Sequence, residues 1–349
     1  MEHGEASLSS ETRRDLAASL LRMGLIEAGE EPCFTPLAGG VSSLILLTRT
    51  QRGPLCLKRA LPKLRVAAEW HSPVERNLGE VEWMKQAALA APQCVPRLLG
   101  QDAGSYTFAM EHLSPERYRN WKQDLLAGRA DAELARAVGL RIAEIHGFTA
   151  GKPDCARMGN GDAIFSGLRL DPYYAVTAAA HPACAPQLRR LIEVTLQTKR
   201  ALIHGDVSPK NILSGPDGPV FLDSESAWYG DPAFDLAFCL THLLLKSVHR
   251  PDMASDYLAA FSALRKGYLA NVTWEDPGPL EQRAAALLAG NLLARIDGKS
   301  PVEYLTAHRD REFVRDFAIR SLLETDREAG RGLEGMAERW RREVTRLAM

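Results

Sequence analysis

Ile203-His204-Gly205-Asp206-Val207-Ser208-Pro209-Lys210-Asn211-Ile212-Leu213 is followed, after a short turn, by Val220-Phe221-Leu222-Asp223-Ser224-Glu225. Two apolar runs, Ala201-Leu202-Ile203 and Val220-Phe221-Leu222, flank a loop rich in His, Gly, Asp, Pro and Asn, which reads as strand, loop, strand. An Asp five residues before an Asn, with a further Asp at the end of the next strand, is what phosphoryl transfer requires. One carboxylate accepts a hydroxyl proton, while an amide and a second carboxylate hold Mg²⁺ against nucleotide phosphates. Little covalent work is left to the protein, so positioning and charge neutralisation dominate. Treating Asp206, Asn211 and Asp223 as ordinary solvated loop residues would need three coincidences.

Upstream of this segment the chain is β-rich. Residues 8–28 have helical periodicity, and Phe34 to Leu61 reads as β structure with a hairpin at Gly53-Pro54. Residues 73–91 read as a helix opened by Pro73 and Glu75. Val95 to Leu99 and Tyr106 to Met110 read as two more strands. Beyond Leu113 the pattern turns helical, over 130–148, 186–200 and nearly everything from 231 onward. The expected fold is therefore α+β and bilobal, with a small β-rich lobe over 1–113 and a larger, mostly helical lobe over 114–349.

Composition narrows the function class. The 349 residues carry 43 basic and 44 acidic side chains, a net charge of −1, which argues against a nucleic-acid protein or a polybasic membrane binder. The longest near-apolar stretch, Leu236 to Leu245, is about half of the roughly 20 residues that span a bilayer and contains His242. The N-terminal residues include acids and no apolar core, unlike a secretory signal. The six Cys lie at least 23 residues apart, which gives no zinc spacing and suits reduced thiols in a cytoplasm.

HGDxxxxN followed by a strand ending in Asp resembles the aminoglycoside phosphotransferase and choline kinase superfamily, relatives of the protein kinases. The run Gly230-Asp231-Pro232-Ala233-Phe234-Asp235 is similar to that superfamily as well, and the likeness extends from about residue 33 to 300. It implies a protein-kinase-like fold that uses ATP and Mg²⁺. Asp206 would be the catalytic base or hydroxyl-orienting carboxylate. Asn211 and Asp223 would bind the metal, with Glu225 a second-metal or substrate contact. Lys58 would hold the α- and β-phosphates and pair with Glu80, which the spacing from Arg76 favours over Glu82. Gly39 and Gly40 would form the phosphate-covering turn, and Met110, Glu111 and Leu113 the hinge that meets adenine. His204, Asp231 and Asp235 read as structural braces and helix caps.

The acceptor is less directly written. Leu57-Lys58-Arg59-Ala60-Leu61-Pro62-Lys63-Leu64-Arg65-Val66, running on to Trp70, resembles the methylthioribose kinases, as do Leu168 to Tyr173 and Leu293 to Gly298. That implies a small sugar hydroxyl as acceptor, with Arg65, Trp70, Arg169 and Arg295 as substrate contacts. Two departures stand against methylthioribose itself. Those kinases carry Ser where this chain has Asn211, and Pro-Glu where it has Ser224-Glu225. An antibiotic polycation would need an acidic lining. From Leu240 to Met349 there are 17 Lys/Arg and 16 Asp/Glu, so no acidic excess exists there. A non-catalytic, pseudokinase-like module should lack Lys58, Asp206 or Asp223, and all three are present. Expected partners are a small-molecule hydroxyl acceptor, no nucleic acid and no membrane, with a homodimer left open. Arginine or tryptophan lining near Asp206 would favour a sugar or an anionic metabolite, and three or more further carboxylates an aminoglycoside.

Overall fold

The computed structural model describes residues 8–37, 42–63, 71–324 and 332–347. Gly39, Gly40, Arg65 and Trp70, four of the expected site residues, lie outside the described residues.

Five strands form one antiparallel sheet: β1 (Cys33–Pro36), β2 (Ser43–Thr50), β3 (Gly53–Ala60), β4 (Leu98–Asp102) and β5 (Thr107–Glu111), in the order β1-β2-β3-β5-β4. Alternation along the strands sorts side chains by face. Leu44 and Leu46 of β2, Leu55 and Leu57 of β3 and Ala109 of β5 cluster with Leu16 and Leu20 of helix α1 (Ser10–Arg22). The opposite face carries Ile45 and Lys58, which pair across β2 and β3, and Phe108, which pairs with Lys58 across β3 and β5. Helix α2 (Arg76–Ala90) packs behind this second face. The strand expected over Val95 to Leu99 starts later, at Leu98. Pro96 has no N–H to give a ladder, so pairing begins only beyond it.

The remaining chain is mostly helical. Short β6 (Arg119–Asn120) and α3 (Trp121–Leu126) precede α4 (Ala132–Thr149). From Asp162 to Ala180 the chain runs as α5 (Asp162–Phe165), a wide π-helical stretch over Ser166–Ala175, and α6 (Val176–Ala180). Pro172 sits inside the π stretch and has no N–H to donate to a tighter turn. After α7 (Ala185–Gln197) come β7 (Ala201–Ile203), the hairpin β8 (Ile212–Gly215) and β9 (Gly218–Phe221), and β10 (Trp228–Gly230), which pairs with β7. Helix α8 (Pro232–His249) is buried from Pro232 to Val248, with α9 (Ala254–Leu269), α10 (Pro277–Asp297), α11 (His308–Glu324) and α12 (Leu333–Leu347) around it. The architecture is α+β and two-lobed, as expected. Among the described residues no helix is long and apolar enough to cross a membrane.

Candidate active site

The loop after β7 is held from behind. Asp235, in the first turn of α8, accepts the His204 N–H at 2.7 Å and the Gly205 N–H at 2.8 Å. Asp235 is itself fixed by His146 Nε2 at 3.2 Å, whose Nδ1 meets the Tyr268 hydroxyl at 2.9 Å. Gly205 has φ +76°, and a Cβ there would lie 2.4 Å from the Ser226 carbonyl oxygen, so only glycine fits. His204 accepts the Asp206 N–H through Nδ1 at 3.1 Å and donates from Nε2 to the Leu222 carbonyl at 3.1 Å. That pattern is the neutral ring, in keeping with a pKa that burial pushes down. Asp231 caps α8 through the Ala233 N–H at 3.0 Å and is gripped by Arg283. His204, Asp231 and Asp235 are thus the braces the sequence suggested.

This frame aims Asp206 into the cleft. Its carboxylate lies 2.8 Å from Arg169 Nη2 and 3.2 Å from Lys210 Nζ. Burial alone would raise its pKa, but these two cations outweigh that and hold it below the usual carboxylate value. Arg169, expected as a substrate contact, is therefore engaged by Asp206 and by the Gly205 carbonyl at 2.6 Å. Its place on the π-helical stretch directs it there.

Across the cleft, Lys58 Nζ donates to Glu80 Oε1 at 2.7 Å and to Asp223 Oδ1 at 2.5 Å. Lys58 is 1% exposed. Burial disfavours its ammonium, yet the carboxylates of Asp223, Glu80 and Glu225 hold its pKa well above the ordinary lysine value. Glu82, the other acid on α2, instead accepts the Gly159 N–H at 2.6 Å. Asp223 adopts φ +65°, a left-handed conformation that costs a non-glycine residue roughly 1–3 kcal/mol and marks functional turns. Asn211 donates its amide to the Asp206 carbonyl at 3.1 Å. The second Asp223 oxygen and Asn211 Oδ1 accept no hydrogen bond from a described residue, and two open hard oxygens suit a divalent cation. Among the described residues no group of three or more His, Cys, Asp or Glu is arranged to hold a metal.

Arg76 was legible only as a spacing marker, and its role is larger. It is fully buried and reaches Glu225 Oε2 at 3.0 Å, the Ser42 carbonyl at 2.5 Å and the Leu61 carbonyl at 2.8 Å. It also bonds the carbonyls of Ser72 and Pro73. One guanidinium therefore ties α2, the ends of β2 and β3, and the segment after Asp223 together. Glu225 is occupied by it on one oxygen and lines the cleft. Met110 and Glu111 close β5, and Leu113 lies just beyond, where the chain leaves the sheet. Met110 shares the sheet face of Phe108 and Lys58, whereas Glu111 is exposed.

Asp206 and Asp223 line one cavity of about 270 Å³ whose wall also includes Tyr173, His242, Lys246, Arg295 and Tyr304. Arg169 and Arg295 both lie on its wall. The only carboxylate on it beyond Asp206, Asp223 and Glu225, among the described residues, is Glu303, which is paired with Lys122. Lys122, His242, Lys246 and Tyr304 were not foreseen. The available signal was His242 and Lys246, four residues apart within an apolar helix.

A small antiparallel sheet over a helical lobe, with a Lys-Glu-Asp network bridging them beside a loop carboxylate, defines a protein-kinase-like phosphotransferase acting on a hydroxyl acceptor. The chain belongs to the phosphotransferase enzyme family (APH), whose model matches residues 34–270. Among curated proteins it is similar to the methylthioribose kinases of Geobacillus thermodenitrificans (23% identical, covering 69% of this chain and 67% of that one) and Exiguobacterium sibiricum (28%, covering 70% and 69%). Among solved structures, a choline/ethanolamine kinase family protein from Mesorhizobium loti superposes with a TM-score of 0.54 at 17% identity, covering 96% of this chain and 98% of that one. An amicoumacin kinase in complex with AMP-PNP, Ca²⁺ and Ami superposes with a TM-score of 0.54 at 13% identity, covering 91% and 93%. These structures share the fold.

Proposed function

We propose that the chain transfers the γ-phosphate of ATP to a hydroxyl of a small sugar-like metabolite. The carrying observation is one cavity whose lining brings Asp206 and Asp223 together with Tyr173, Arg295 and Tyr304. Such a wall pairs a few directed donors with aromatic surface, which suits a polyol. The likeness to methylthioribose kinases over about two thirds of the chain supports the same class. Among the described residues a single further carboxylate, already paired, lines the cavity, which weighs against a polycationic aminoglycoside.

Lys58, oriented by Glu80, would hold the α- and β-phosphates, and the hinge at Met110, Glu111 and Leu113 would meet the adenine. Gly39 and Gly40 are proposed to cover the phosphates. Asp223 and Asn211 would hold Mg²⁺, which when bound offsets phosphate charge and draws the γ-phosphoryl group into line. Asp206 orients the acceptor hydroxyl. The acceptor oxygen bonds to the γ-phosphorus, the bond to the β–γ bridging oxygen breaks, and the hydroxyl proton passes to Asp206. Because Arg169 and Lys210 keep Asp206 weakly basic, it serves first to position the hydroxyl and takes the proton late.

The test couples ADP formation to a panel of sugars, amino alcohols and aminoglycosides, with Asp206→Asn alongside. Turnover of a sugar, falling by roughly 10²–10⁴-fold in kcat with nucleotide affinity nearly intact in the variant, is expected. Unchanged turnover in Asp206→Asn would refute the role of that carboxylate.

A further inference from the structure

The charges on the cavity wall pair off unevenly. Arg169 and Lys210 share Asp206, Lys122 holds Glu303, Lys58 holds Asp223, and Arg76 holds Glu225. Two cations remain. Lys246, on α8 and 1% exposed, has no carboxylate within ion-pairing distance among the described residues, and its ammonium rests 4.8 Å from the centre of the Tyr304 ring. Arg295, on α10 and half-buried, donates to the Tyr173 hydroxyl at 3.3 Å and to the Ser300 carbonyl and hydroxyl, lies 5.8 Å from the centre of the Tyr173 ring, and pairs with no carboxylate among the described residues. Among the described residues its Nε has no hydrogen-bond partner, nor does the Tyr304 hydroxyl or the Ser208 hydroxyl, and all three residues line the same cavity.

A buried ammonium without a counter-charge is costly, and proteins retain one where a ligand supplies the missing anion. A neutral sugar leaves both charges unmet, and a cationic acceptor adds repulsion. We propose that the acceptor carries an anionic oxygen group, carboxylate or phosphate, that seats between Lys246 and Arg295 while its hydroxyl is presented to Asp206. The inference rests on the kinase reading above and narrows its substrate to anionic sugar derivatives. Lys246 is then a specificity-determining residue on the side of the cavity away from the nucleotide. Burial, together with the charges of Lys122 and Arg295, lowers its pKa to about 7, as expected of a cation awaiting its partner.

The test uses the full-length protein saturated with MgADP and titrated calorimetrically with D-ribose, D-ribonate, D-ribose 5-phosphate and D-glucosamine. At least one of the two anions should bind about tenfold or more tighter than ribose, with glucosamine weakest. Ribonate against ribose 5-phosphate separates carboxylate from phosphate. The preference should vanish in Lys246→Met and in Arg295→Met, each shown to be folded by its thermal transition, while MgATP affinity stays unchanged. Equal or tighter binding of ribose or glucosamine overturns the inference, as does absence of binding by both anions, or an anion preference that survives in Lys246→Met. A parallel loss of MgATP affinity in Lys246→Met would place the lysine on the nucleotide and also overturn it. Failure of the wild-type chain to bind MgATP at all would instead sink the kinase reading.

Discussion

The two ends of the cleft handle charge in opposite ways. At the sheet end every buried ion has a partner: Lys58 with Glu80 and Asp223, and Arg76 with Glu225. At the helical end Lys246 and Arg295 face the cavity with no carboxylate partner among the described residues. A paired network has one low-energy arrangement and holds its geometry without ligand, which suits a site that must align phosphates. An unpaired cation is a standing cost relieved only on binding, which suits a site that must choose. The first end is preorganised for chemistry and the second for selection.

The sharpest break of this contrast comes at Asp223. If it closes the sheet-end network and offers its free oxygen to Mg²⁺, Asp223→Ala should weaken Mg²⁺-dependent nucleotide binding by about 10³-fold or more, since phosphate charge loses its counterion support. Lys58 keeps Glu80, so the fold should persist. Titration of ATP with and without Mg²⁺ decides it: a variant that still gains affinity from Mg²⁺ removes Asp223 from the metal site.

Arg76 tests whether the paired end is structural. Arg76→Met strands the Glu225 carboxylate and four backbone carbonyls in a buried place, and breaking a buried pair costs about 3–5 kcal/mol. The urea midpoint should fall accordingly. Arg76→Met combined with Glu225→Gln should lose less than the two single losses added, because the stranded charge is then gone. Strict additivity would mean that the two residues do not work as a unit.

How much of this was legible follows from sequence distance. Asp206, Asn211 and Asp223 fall within one strand-loop-hairpin unit, so their spacing alone carried the chemistry. Lys58 and Glu80 are 22 residues apart, and resemblance to the family, with Glu82 as the rival acid, paired them where no local pattern did. Arg76 hid because its partners are mostly backbone carbonyls, which leave no residue-type signature. The helical end was the least visible. Lys122, His242, Lys246, Arg295 and Tyr304 come from α3, α8, α10 and the segment after it, and no local pattern announces a cavity assembled from parts so far apart in the chain. Arg295 was reached by resemblance, whereas Lys246 was passed over inside a helix whose apolar run reads as core.

The smallest effect, and the one most specific to the contrast, concerns Lys246 and pH. Its pKa is lowered from 10.5 to about 7, first by burial and then by Lys122 and Arg295, against which Glu303 works. Between those two values the unfolded chain binds a proton that the folded chain does not, so this group makes stability rise as pH climbs from about 7 toward 10.5. Below about pH 7 the lysine is charged in both states and its full burial cost is present. His242, one turn away and facing the same cavity, has a pKa pushed well below 6.5 by burial and by Lys246, so it stays neutral across this window and does not mask the effect. Lys246→Met keeps the volume and removes the charge. The variant should therefore exceed wild type in stability by roughly 1–3 kcal/mol near pH 6.5, with the gap closing as pH approaches 10. Thermal or urea unfolding at pH 6.5, 8 and 9.5 reads this directly. A gap independent of pH, or a variant less stable than wild type at pH 6.5, would show that the Lys246 ammonium is already satisfied within the fold, and the difference between the two ends of the cleft would disappear.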